Sequence, residues 1–155
     1  MSKASPICVA LISIVMLSSC GSSEPSLSTY KKDFQQQKAQ FTQLGNDLQA
    51  ELQAFRNKTN AQLAGDFASL STRANQTAAQ LRQLKPPSKY KNQNSQLATQ
   101  FNTVAADLSS ISTAATQNNV ASARTGLQKL VQDAGSLRSV DQSLSGSLGL
   151  PQTQQ

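Results

Sequence analysis

From Phe34 to Leu144 the apolar residues recur at steps of three, four and seven, a period that leaves little room for anything but helices. Phe34, Phe41, Leu44, Leu48, Leu52 and Phe55 form a first series. Leu63, Phe67, Leu70, Ala74, Thr77, Leu81 and Leu84 form a second. Leu97, Phe101, Val104, Leu108, Ile111 and Ala115 come next, then Val120, Ala123, Leu127, Leu130, Ala134, Leu137 and Leu144. Such spacing gathers each series on one face of a helix with 3.6 residues per turn. No segment alternates long enough to read as a strand.

Local chemistry marks where each series stops. Thr59 followed by Gln62 has capping-box spacing, in which hydroxyl and amide satisfy backbone groups left open at a helix start. Pro86-Pro87 ends the second series, because proline lacks the amide donor and turns the preceding residue away from helix; Ser88 can cap the third helix. In the turn "TQNN", Asn118 or Asn119 can cap the fourth helix, and Gly146, Gly149 and Pro151 close it. The spacing therefore predicts helices over 29–57, 60–84, 88–115 and 119–145, within a bundle spanning 29–148 and followed by a disordered tail at 149–155. Each helix has one apolar stripe to bury, and short turns favour antiparallel neighbours. The expected fold is all-α, an antiparallel up-down four-helix bundle. Residues 56–60 hold no strong breaker, so the alternative is a three-helix bundle or long hairpin with the first two helices continuous. That rod would reach about 84 Å from residue 29 to 84, which favours the four-helix arrangement.

The N-terminal segment has a different character. Lys3 precedes an apolar run from Ile7 to Leu17, and Cys20 comes after it. Eleven helical residues span only about 16 Å, roughly half a bilayer core, so the pattern reads as an export signal. Leucine at position 17 suits ordinary signal cleavage badly. Leu17-Ser18-Ser19-Cys20 resembles the lipobox of bacterial lipoproteins. The resemblance implies a signal peptide at 1–19, diacylglycerol on the Cys20 thiol, and an acylated N-terminus after cleavage. Residues 20–28 would then be the lipidated cysteine and a flexible tether. The protein would be exported and anchored by lipid to the bacterial cell membrane or outer membrane. A second stretch, "LRQLKPPSKYKNQNSQLATQF" with "SLGL" near the C-terminus, resembles a class of uncharacterised small bacterial lipoproteins with helices flanking such a proline turn. That resemblance implies a helical bundle and brings no activity with it.

Chemistry is sparse along the chain. The sequence has no histidine, and Cys8 would leave with the signal, so nucleophiles paired with histidine and thiolate metal sites have no residues to use. Glu51 is the only glutamate within the helical series, whereas a di-iron bundle needs several. Asp47 and Glu51 are spaced to share one face of a helix, a solvated one. Asp141 falls where the period expects a core residue, a place that Val140 can take with Asp141 turned outward. No enzyme and no cofactor is expected. The formal charge of +6 becomes +5 without Lys3, an excess that in an exported protein suits anionic lipid or envelope polymer better than nucleic acid.

The informative feature is a basic cluster. Arg82, Lys85, Lys89 and Lys91 bracket the proline turn with no acid among them. In an up-down bundle they would meet Lys31 and Lys32 at the base of the first helix, facing an anionic surface. Tyr30 and Tyr90 would lie at the same end, where tyrosine tolerates a headgroup boundary. The expected function is a membrane-anchored, non-enzymatic binding or scaffold module of the cell envelope with a protein or polymer partner. The alternative is a small-ligand sensor or carrier using a cavity between helices.

Overall fold

A computed structural model describes residues 25–151; the signal segment, Cys20 and residues 21–24 lie outside them, and Leu27 and Ser28, expected in the tether, open the first helix. Four helices fill the described chain: α1 (Leu27–Ala54), α2 (Asn60–Gln83), α3 (Lys91–Thr116) and α4 (Val120–Ser147). They pack as the expected four-helix bundle. None of the described helices is long and apolar enough to cross a membrane.

The first two helices are separate. A 3₁₀ turn at Phe55–Asn57 leads to extended backbone at Lys58, and Thr59 caps α2 with the full reciprocal box. The Thr59 amide donates to Gln62 Oε1 at 2.9 Å, and the Gln62 amide donates to Thr59 Oγ1 at 3.3 Å. Lys58 then pins the corner by reaching Glu51 on α1 and Asp66 on α2.

The other joins also obey local chemistry. Pro86-Pro87 ends α2, but Ser88 opens a 3₁₀ turn (Ser88–Tyr90) in place of capping α3, which begins at Lys91 without a side-chain cap. The two asparagines of the next turn divide the work. Asn118 takes the left-handed conformation, φ +52°, and Asn119 accepts the Ser122 amide at 3.0 Å as the cap of α4. Asn60 at the start of α2 donates to Asn118 Oδ1, which ties the two turns at that end.

Residues 149–151, expected in a disordered tail, are packed on the bundle. Gly149, at φ +63°, lets Leu150 fold back so that its amide donates to the Ser145 carbonyl, a Schellman ending. Leu148 and Leu150 are buried in the core, so residues 149–151 belong to the bundle.

The four helices do not approach one another equally. α2 and α3 form the closest seam, where Ala74, Ala78, Ala98 and Ala105 are buried and the Ser71 and Ser112 hydroxyls donate to carbonyls across it. α3 and α4 are next, with Gly126 against Ile111. α1 rests on α2 through larger side chains, and α1 and α4 hardly approach. Two residues expected in the core, Leu52 and Val120, are exposed.

Candidate functional site

The two features with a capacity for binding are a basic end and an apolar groove. At the basic end, the start of α1, the end of α2, the proline turn, the start of α3 and the end of α4 converge. Tyr30 on α1 lies 6.0 Å from Tyr90, ring to ring, and its hydroxyl donates to Asn94 Oδ1 at 3.0 Å. Asn94 in turn donates to the Leu81 carbonyl, and the Tyr90 hydroxyl donates to the Ser147 carbonyl. These bonds hold all four helices in register. Both tyrosines are buried, Tyr30 at 1% exposure and Tyr90 at 6%, so they are core pins and do not reach a headgroup boundary. Burial, with Tyr90 adding to it, pushes the Tyr30 phenol well above its ordinary value and keeps it neutral as a donor.

Around these pins stand Arg82, Lys85, Lys89 and Lys91, all exposed. Lys32 is exposed on α1, and half-buried Lys31 donates to the Gly149 carbonyl at 3.3 Å. Lys89 lies over the Tyr90 ring at 5.4 Å. Lys85 lines a shallow depression together with Pro25 and Ser26, so the first described residues lie beside the basic turn. The carboxylates are engaged elsewhere. Asp47 pairs with Arg73, Glu51 and Asp66 with Lys58, Asp107 and Asp133 with Lys129, and Asp141 with Lys38. Only Asp33 among the described acids lies near the basic end, outside these pairs.

The groove lies between α1 and α4 with a volume of about 440 Å³. Phe41, Leu44, Leu48 and Leu52 form one wall, Leu130, Val131 and Ala134 the other, and Phe101 and Val104 of α3 the floor. Its charged residues, Lys38, Arg138 and Asp141, gather at one end. Asp141, expected to turn outward, does not. Asp141 is half-buried and faces α1, pairing with Lys38 at 3.6 Å and accepting from Ser145 Oγ at 3.3 Å. Lys38 also donates to Ser145 Oγ at 2.8 Å and to the Pro151 carbonyl at 3.2 Å. A side chain built at Gly135 would meet no atom within 4 Å, so the space beside α4 is open there.

No sequence signal marks this groove. Its wall residues carry the same heptad-like spacing as any packed stripe, and only their partners distinguish a groove from a seam. Among the described residues no three metal-ligating side chains cluster. No family model, no curated protein and no solved structure is significantly similar to the chain.

Proposed function

We propose that the chain is a lipid-anchored module of a bacterial envelope, held through Cys20 and working by binding or scaffolding without enzymatic chemistry. The observation that carries this reading is the break at residues 55–59. It returns α2 to the start of α1 and so brings Arg82, Lys85, Lys89 and Lys91 to the end that holds Lys31, Lys32, Pro25 and Ser26. A bundle anchored at that end would present its exposed cations to the surface that holds it. Each such residue contributes about 1 kcal/mol near an anionic membrane, falling off within a Debye length.

The test uses residues 21–155, made without lipid, and vesicles containing anionic phospholipid. Binding at low ionic strength, reversed by salt, is expected. Replacing the four turn residues by glutamine removes most of it and leaves the melt unchanged. Equal binding by that variant, or none by the parent, refutes the surface reading. The anchor is tested separately. Cys20→Ser leaves uncleaved or soluble precursor, and mature membrane-bound protein from that variant would contradict lipidation at Cys20.

A second reading, a carrier or sensor of a small ligand, is favoured by the groove between α1 and α4.

A further inference from the structure

We infer that the groove takes a single-chain amphiphile with an anionic head: the acyl chain lies between α1 and α4 and the head meets Lys38 and Arg138. This rests on the carrier reading and is independent of the basic end. Three properties of the groove point to that occupant.

The first is size. From Lys38 to Leu52 the wall runs fourteen residues, about 21 Å of helix, which matches an extended long acyl chain. The groove offers about 440 Å³, within the range of small-molecule sites.

The second is the distribution of polarity. The long walls are aliphatic and aromatic, and the charges sit at one end. Two cations against the single carboxylate of Asp141 leave that end positive. Lys38 lies 3.6 Å from Asp141 and donates to Ser145 Oγ and the Pro151 carbonyl, so an anionic head takes the place of the longest of these contacts. A neutral apolar guest would leave that polar end unused.

The third is the small area of the opening. Of the large apolar residues lining the groove, only Leu52 and Val131 are exposed, at 37% and 64%. Two aliphatic side chains are far short of the roughly 800 Å² per partner that a standard protein interface buries. A narrow chain entering the slot needs no such area.

The experiment titrates residues 21–155 with decanoate, dodecanoate and tetradecanoate below their micelle concentrations, and with dodecan-1-ol. Affinity is expected to rise with chain length by up to about four-fold per methylene. Dodecanoate should bind more tightly than dodecan-1-ol. The double variant Lys38→Gln, Arg138→Gln should lose about ten-fold for the acid and little for the alcohol. Gly135→Leu, which fills open space, should block all of them with the melt preserved; Val131→Glu, on an exposed position, gives the same readout if Gly135→Leu fails to fold. The glutamine variant of the proline turn should bind dodecanoate as the parent does. If neither acid nor alcohol binds, the carrier reading falls with the inference. If both bind equally in parent and double variant, a carrier remains and the anionic head is wrong. Unchanged binding after blocking the slot places the amphiphile elsewhere and overturns the inference.

Discussion

Gly126 and Gly135 lie on the same helix, about two and a half turns apart, and meet opposite surroundings. A methyl group at Gly126 would come within 2.8 Å of Ile111 Cγ1, whereas one at Gly135 would touch nothing. One glycine marks where α4 presses on α3, the other where α4 stands away from α1. The bundle is thus a tight three-helix slab, α2–α3–α4, with α1 laid against it. The alanines and hydroxyls of the slab allow close approach, and the phenylalanines of α1 hold it off. Close packing gives the slab its rigidity, and the gap leaves room for a guest.

Truncating side chains on the two sides should separate them most strongly. Leu70 and Leu108 are buried in the slab at 4% and 1% exposure. Leu70→Ala and Leu108→Ala should each cost on the order of 2–5 kcal/mol, read by urea unfolding followed by circular dichroism. Leu52→Ala and Val131→Ala, on the groove rim, should stay within about 0.5 kcal/mol of the parent. Comparable losses at the rim would mean that the groove is closed in solution.

The glycines give a finer contrast. Alanine at either position relieves the entropic cost of glycine in a helix, a gain approaching 1 kcal/mol. At Gly126 that gain is opposed by crowding against a stiff β-branched side chain, a cost of about 1–3 kcal/mol. Gly126→Ala should therefore lose roughly 1 kcal/mol and Gly135→Ala should gain up to about that amount. Equal gains at both sites would show that Ile111 yields and that the α3–α4 seam is looser than its geometry implies.

Features set by local interactions are the ones legible in the sequence. Thr59 with Gln62, Pro86-Pro87 and Asn118-Asn119 act on backbone within a few residues, so the helix ends stand within a few residues of where the spacing puts them. The convergence of the basic residues at one end results from those turns alone. Burial is less legible. Leu52 and Val120 satisfy the same period as Leu70 and Leu108 yet are exposed, because a stripe reports an apolar face and not the presence of a neighbour over it. Asp141 and Val140 are both half-buried, a division between core and solvent that a period cannot make. Leu150 escapes notice for another reason: the glycine that ends the helix also turns the chain back, and a short tail looks the same whether or not it is packed. Gly126 and Gly135 carry no local difference at all.

The smallest effect concerns a carboxylate caught in the closed side. Asp107 is 4% exposed, and its Oδ2 is buried with no hydrogen-bond partner. Burial raises its pKa above the ordinary carboxylate value, and Asp133 adds to that, while the Lys129 ammonium at 2.7 Å opposes it without winning. A raised folded pKa means that the folded state holds this proton more tightly than the unfolded chain. The stability from Asp107 is therefore full below the unfolded carboxylate value and is lost as pH rises through the higher folded one. The amide introduced by Asp107→Asn cannot titrate; Asp133, whose pKa Lys129 and then Asp107 lower, also changes in the variant, but a lowered carboxylate acts below its ordinary value, so above that value the comparison isolates Asp107. In melts from about pH 4 to pH 7 the parent should lose ground to Asp107→Asn as pH increases, across a window that opens just above the ordinary carboxylate value. A parent that instead gains on the variant with rising pH would mean that Lys129 dominates, and that the α3–α4 seam admits enough water to hold a charge.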